Sequence, residues 1–228
     1  MTTAAAPQGG DAAATTLLLI RHGETAWNAA GRIQGQLDVP LSPRGIWQAA
    51  RLAERLAAES IDAVVASDLA RAALTAQPLA AALGRTVQFE PRLRERHFGR
   101  FEGHTTDEIA QKWPADFHRW RERDAAWQIP DGESGQQFIA RVIDALVELV
   151  AAHRGRTVAV IAHGGTLDIA YRHARALPWD APREHVMLNA SINRMRAMPA
   201  AEATLRLTIE HWGDVAHLDS ARDELAGA

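Results

Sequence analysis

Two runs in this chain, AVVA at 63–66 and VAVIA at 158–162, contain no polar residue at all. A strand with one wet face alternates; a strand apolar on both faces needs cover on both sides. That requirement points to a parallel sheet sandwiched between helices. The two runs lie within expected strands at 61–66 and 157–162, and two further short runs, 16–20 (TLLLI) and 86–89 (TVQF), are β-prone and have similar length. Helical patterns lie between them. Ser42-Pro43 opens one, with serine as N-cap and proline at the first helical position; Ile46, Ala49, Ala50, Ala53 and Leu56 follow on its expected stripe. Asp68 is the expected cap of a second, carrying Leu69, Ala72, Ala73, Ala76 and Leu83 to Gly84, with Pro78 as a kink or an early stop. A third is expected over about 133–153, with Phe138, Val142, Leu146 and Leu149 on one stripe.

The order strand, helix, strand, helix predicts a three-layer α/β/α sandwich with a mostly parallel central sheet. The alternating segment 206–212 (RLTIEHW) suits an edge strand, as does 192–198. Residues 92–103 read as a charged, glycine-containing loop. Residues 105–130 hold three tryptophans among charges and read as short helices outside the sheet, a lid inserted at about 100–132. The expected organisation is a small, polar, disordered tail at 1–15, a single domain at 16–218, and a frayed tail at 219–228.

Each strand ends in chemistry. LLLI runs into Arg21, His22 and Gly23; AVVA into Ser67, Asp68 and then Arg71; VAVIA into His163, Gly164 and Gly165. Ligands of open α/β sheets bind beyond the carboxyl ends of the strands. Parallel neighbours would therefore bring Arg21, His22, Arg71 and His163 to one point, with helix N-termini beside them. Two arginines, two histidines and helix ends suit a dianion. Each piece has a plainer reading. A histidine after a strand is often a loop residue, paired glycines often a tight turn, and Arg71 a surface residue paired with Asp68. Three strand ends that all deliver such groups are harder to explain as merely polar loops.

Composition narrows the partners. The net charge is −3, from 25 basic and 28 acidic residues, without the basic bias of a nucleic-acid or membrane surface. No apolar run reaches the ~18 residues of a membrane span, and the start of the chain lacks the pattern of a signal peptide. There are no cysteines. The expectation is a cytoplasmic protein, monomer or homodimer, acting on a small phosphorylated substrate.

RHGET with Asn28 downstream, SDLARAALTA, LRERHFGRFEG and VIAHGGTLD occur in this order and together resemble the histidine phosphatase superfamily, the phosphoglycerate mutase-like fold. The resemblance covers about residues 16–218. It implies that His22 is phosphorylated, that Arg21, Arg71 and His163 hold the phosphoryl group, and that Glu95 donates and accepts the proton. It also implies that Asn28, Gln34, Gly35, Gly164 and the stretch from Glu95 to Phe98 line the substrate side, without a metal or other cofactor. The residues alone leave the proton carrier open among Glu24, Glu95, Glu102, Asp131 and Glu133, and Glu95 free to pair with Arg92, Arg94 or Arg96.

The chemistry asks for a neutral His22, which neighbouring arginines favour, with one ring nitrogen donating to a carbonyl. By the resemblance, glycolytic mutases carry a longer insertion between the Glu95 and His163 positions, with lysines and paired arginines. Here that stretch has one lysine, Lys112, and Trp120-Arg121 followed by Arg123 only imperfectly echoes the pair. The expected activity is thus that of a phosphomonoesterase. The alternatives are a phosphoglycerate mutase, which alone would need a bisphosphoglycerate primer, and a non-catalytic phosphate-binding module. Trp27, Phe98, Trp113, Trp120 and Trp127 are candidates for a specificity wall or for plain lid packing.

Overall fold

A computed structural model describes residues 14–199 and 204–219. Of the expected tails at 1–15 and 219–228, residues 1–13 and 220–228 lie outside them. In chain order the elements are β1 (Thr15–Arg21), α1 (Ala26–Ala29), α2 (Pro43–Leu56), β2 (Ala63–Ala66), α3 (Ala70–Ala82), β3 (Val87–Phe89), α4 (Thr106–Lys112), α5 (Pro114–Arg121), α6 (Gly135–Ala152), β4 (Thr157–Ala162), α7 (Gly164–Arg175), β5 (Ile192–Pro199) and β6 (Leu205–Asp214). The first strand begins one residue before the expected domain boundary: Thr15 is fully buried, and its hydroxyl donates to the His153 carbonyl at 2.9 Å.

The sheet has six strands in the order β3-β2-β4-β1-β5-β6. Strands β1 to β4 run parallel, and β5 and β6 are antiparallel. Leu17 and Leu19 of β1 pack with Phe138, Val142 and Leu146 of α6 and Leu167 and Ala170 of α7. Leu18 and Ile20 face the other way, onto Leu52 and Leu56 of α2 and Ala72 and Leu79 of α3. Successive side chains of a strand point to opposite faces, so both layers of helices are needed to cover LLLI. This is the expected three-layer sandwich. No described helix is long and apolar enough to cross a membrane.

Local expectations are corrected in three helices. The buried stripe of α2 is Gly45, Gln48, Ala49, Leu52, Ala53 and Leu56, while Ile46 is 60% exposed and Ala50 is exposed. A Cβ on Gly45 would lie 2.0 Å from the Glu24 carbonyl oxygen, so the glycine must take the face that meets β1's loop, which turns isoleucine outward. The N-cap of α3 is Leu69, not Asp68; the Asp68 carboxylate is instead held by Arg94 Nε at 2.7 Å. Pro78 does not stop α3, which continues to Ala82. The third helix begins at Gly135, capped by Ser134 with a capping box to Gln137; Glu133 sits just before it and pairs with Arg141 at 2.9 Å.

Between β3 and α6 the chain leaves the sheet. Phe101, Ile109 and Ile129 are fully buried and form an apolar cluster of their own, with Trp113, Trp120 and Trp127 packed against it. The lid is therefore a second small core rather than a loop.

Candidate active site

The register of the two central strands builds the site. Arg21 pairs with Ala162 across β1 and β4, and the His22 amide donates to the Ala162 carbonyl at 2.9 Å. His22 and His163 therefore leave neighbouring strands side by side, with ring centroids 5.2 Å apart. His22 is 3% exposed, and its Nδ1 lies 2.7 Å from the Gly23 carbonyl. A carbonyl only accepts, so Nδ1 carries the proton and Nε2 keeps a lone pair. Burial, then the charges of Arg71 and Arg21, hold the His22 pKa well below its usual 6.5. The imidazole is neutral and its tautomer is set.

Arg71 is 1% exposed and does not pair with Asp68. Its Nη1 and Nη2 donate to the carbonyls of Leu37 and Gly35 at 2.9 and 2.7 Å. Burial lowers its pKa to about 10. The Gly23 amide donates to Thr75 Oγ1, which donates to the Arg71 carbonyl, so the loop after β1 is tied to the first turns of α3. Arg21 Nη1 donates to the Met187 carbonyl. His163 is fully buried, its Nε2 lies 2.8 Å from Ser67 Oγ, and burial followed by Arg71 lowers its pKa well below 6.5. Among the described residues, Arg21 Nε, Arg71 Nε and His163 Nδ1 are all buried without a hydrogen-bond partner.

Glu95 reaches this cluster from the loop after β3. Oε2 accepts from the Gly165 amide at 2.9 Å and Oε1 from the Arg96 amide at 2.8 Å. The three arginines that might have paired with it are engaged elsewhere: Arg92 with Glu90 and Glu148, Arg94 with Asp68, and Arg96 with the Glu133 carbonyl. Three of the other candidate carboxylates are committed too. Glu24 accepts from Ser42 Oγ, Glu102 from the Gln36 and Phe98 amides, and Glu133 from Arg141.

Gly165 is small for a reason. A Cβ there would lie 2.1 Å from Glu95 Oε1 and 2.9 Å from the Phe138 ring. Gly165→Ala should push the carboxylate off its amide and cut kcat by about tenfold or more; a kcat within twofold of the parent enzyme would contradict that geometry.

The remaining predicted residues sit around this centre. Asn28 Oδ1 accepts from the Thr25 amide at 3.1 Å in a capping box, and Asn189 Nδ2 lies between Asn28 and the His22 carbonyl. Gln34 Oε1 accepts from Thr25 Oγ1, and the Gly35 carbonyl from Arg71. Gly164 opens α7 beside Arg21.

A cleft of about 570 Å³ runs outward from Arg21, Glu95, Gly164 and Gly165 toward the lid. Phe98, Trp120 and Trp127 line it; Trp27 and Trp113 do not. Trp113 instead packs on Phe101 and His104, and Trp27 lies against Gly103. Sequence reading missed Trp179, Arg183 and Met187, all on the cleft wall. They come from the stretch between α7 and β5, which has no periodicity to mark it. Trp212 steadies this stretch: its Nε1 donates to the Val186 carbonyl at 2.7 Å and its ring meets His185 and Tyr171.

The buried histidines set a pH dependence of stability. His22 and His163 resist protonation in the folded protein, and His153, His185 and His217 are also shifted down by burial. The unfolded chain takes up these protons at its ordinary histidine pKa. Stability is therefore full above about pH 6.5 and falls as pH drops below it, by up to about 1.4 kcal/mol per pH unit for each fully buried histidine. Urea midpoints at pH 7.5, 6 and 5 should decline in that order; a flat series would contradict the neutral assignment.

Comparison with known proteins agrees with this geometry. The model of the histidine phosphatase superfamily (branch 1) matches residues 17–210. The metal-independent phosphoserine phosphatase of Arabidopsis thaliana is 38% identical over 90% of this chain and 84% of its own. The probable phosphoglycerate mutase GpmB of Serratia proteamaculans is 37% identical over 91% of this chain and 97% of its own. A mycobacterial glucosyl-3-phosphoglycerate phosphatase, solved with VO3, superposes with a TM-score of 0.75 at 35% identity, covering 87% of this chain and 98% of that one. With the strand ends, the paired imidazoles and the lid all in place, the chain belongs to the histidine phosphatase superfamily (branch 1) and is an enzyme of that family.

Proposed function

We propose that the enzyme is a metal-independent phosphomonoesterase that works through a phosphohistidine at His22 on a small phosphorylated metabolite. The observation that carries this reading is the set of three buried, unpartnered nitrogens, Arg21 Nε, Arg71 Nε and His163 Nδ1, around one neutral imidazole. A buried polar group without a partner costs about 1–3 kcal/mol, and a phosphoryl dianion offers acceptors for such nitrogens.

In the first step His22 Nε2 attacks phosphorus as the bond to the ester oxygen breaks. Arg21, Arg71 and His163 meet the charge on the equatorial oxygens. Glu95 gives the departing oxygen its proton. In the second step water attacks the phosphohistidine, Glu95 takes a proton from it, and the nitrogen–phosphorus bond breaks to release phosphate. Asn28, Gln34, Gly35 and Gly164 frame the substrate end of this centre. The activity printed for the Arabidopsis relative, a metal-independent phosphoserine phosphatase, supports the same chemistry. The reading gives the enzyme a cytoplasmic setting, as a monomer or homodimer, with neither nucleic acid nor membrane as partner.

Mutase chemistry is the second reading. It is favoured by Arg121 and Arg123 both lining the cleft. One assay separates the two. Phosphate release from a panel of phosphate esters in the presence of a chelator is the expected result. Interconversion of phosphoglycerates that requires a bisphosphoglycerate primer, with no phosphate release, would overturn it.

A further inference from the structure

We propose that Asp168 is a positioning residue of the phosphate site: it pins the segment between α7 and β5, and that segment aims the Arg21 guanidinium. This deepens the reading above and rests on it for Arg21 as a ligand of the phosphoryl group.

Arg21 and Arg71 are held differently. Arg71 donates to two carbonyls, those of Leu37 and Gly35. The Arg21 guanidinium donates to one, that of Met187, its only hydrogen bond among the described residues. A carbonyl fixes the direction of a guanidinium without removing its charge. The direction in which Arg21 offers its free Nε therefore depends on where residue 187 stands.

No regular element holds residue 187, which lies between α7 and β5. Among the described residues, no amide of residues 183–189 donates to a backbone carbonyl. Side chains hold this segment instead, and they converge on Asp168 in the second turn of α7. Asp168 is 2% exposed. Its Oδ2 accepts from Arg172 Nε at 3.1 Å and from Arg183 Nη2 at 3.0 Å. Arg172 carries the grip onward, donating to the Pro178 and Ala181 carbonyls at 2.8 and 3.0 Å. His185 Nε2 lies 2.9 Å from Asp168 Oδ1, and its ring stacks on Tyr171 with centroids 3.7 Å apart. One carboxylate thus organises residues 178, 181, 183 and 185. Trp212 adds a pin at the Val186 carbonyl, one position before Met187. Past Met187, Asn189 Nδ2 donates to the His22 carbonyl at 2.9 Å and the Ala190 amide to the Arg21 carbonyl at 3.0 Å. The segment closes back onto the strand end that carries the nucleophile.

Burial alone would raise the Asp168 pKa, yet Arg183 and Arg172 hold it below the usual carboxylate range. Asp168 is therefore ionised at neutral pH and takes no part in the proton transfers assigned to Glu95. Without its charge Arg172, itself buried, would face only carbonyls. Removing one partner of a buried pair leaves the other uncompensated, so the segment would shift and Met187 with it.

The test is the Kd of inorganic phosphate, read by calorimetry at pH 7.5. Asp168→Asn should weaken binding by about tenfold, the worth of one charge-assisted hydrogen bond. The sign is diagnostic. Asp168 lines the cleft, so a pure charge effect of neutralising it would tighten anion binding. In an Arg21→Ala background the same substitution should no longer weaken binding, because Asp168 acts through Arg21. An Asp168→Asn variant with unchanged or tighter Kd, or with an equal weakening when Arg21 is absent, overturns the positioning role. If Asp168→Asn does not fold, Trp212→Ala decides in its place. Trp212 is half-buried on the edge strand β6, and its loss should weaken binding by about threefold or more, again only with Arg21 present. Intact enzyme that binds no phosphate would instead fail the phosphate-site reading, and this role with it.

Discussion

Replacing His22 with alanine is expected to lower turnover by about 10⁴-fold or more and to remove the acid-labile phosphoenzyme trapped in a rapid quench. No neighbour can take over. The His163 ring lies 5.2 Å away, tilted by 56°, and its Nε2 is engaged with Ser67. The hydroxyls nearby are committed as well: Thr75 Oγ1 donates to the Arg71 carbonyl and Thr25 Oγ1 interacts with Asn28 and Gln34. The variant should keep its fold, because the His22 side chain bonds only its own neighbour's carbonyl, and an unchanged urea midpoint at pH 7.5 would verify this. Turnover above a tenth of the parent level would end the nucleophile assignment.

Glu95→Gln is expected to cost about 10²–10⁴-fold on alkyl phosphates, the usual worth of a positioned acid–base group. The loss should shrink on an aryl phosphate whose leaving group departs without a proton. That contrast separates proton transfer from mere placement. Glutamine retains a carbonyl oxygen for one of the two amides that hold Glu95, so the loop should keep its course. An equal loss on both ester classes would mean that Glu95 orders the Arg96 and Gly165 backbone and moves no proton.

Where the sequence could be read, the controlling forces were local. VAVIA is a strand because nothing in it tolerates water, and β4 occupies Thr157–Ala162 as expected. The strand ends deliver Arg21, His22, Arg71 and His163 together because parallel register leaves little freedom there. Where reading failed, a distant partner decided. Asp68 has the chemistry of a helix cap, but Arg94, from beyond β3, claims it. Ile46 is the most apolar residue of its turn, yet Gly45 faces inward because the Glu24 backbone comes too close for any side chain. Trp179, Arg183 and Met187 belong to a stretch whose shape is set by Asp168 and Trp212, and no periodic pattern announces it. The tryptophans of the lid divide for a similar reason: Trp120 and Trp127 serve both the small core and the cleft, while Trp113 serves the core alone.

The pairing of β1 with β4 also bears on how the enzyme comes into being. The two strands are neighbours in the sheet but stand far apart in the sequence, with β2 and β3 and the whole lid threaded between them. Closing such a long loop costs chain entropy before any contact rewards it. His22 and His163 can meet only after that closure. Secondary structure and the lid's small core can form earlier, so catalytic competence should be among the last properties to return when the chain refolds.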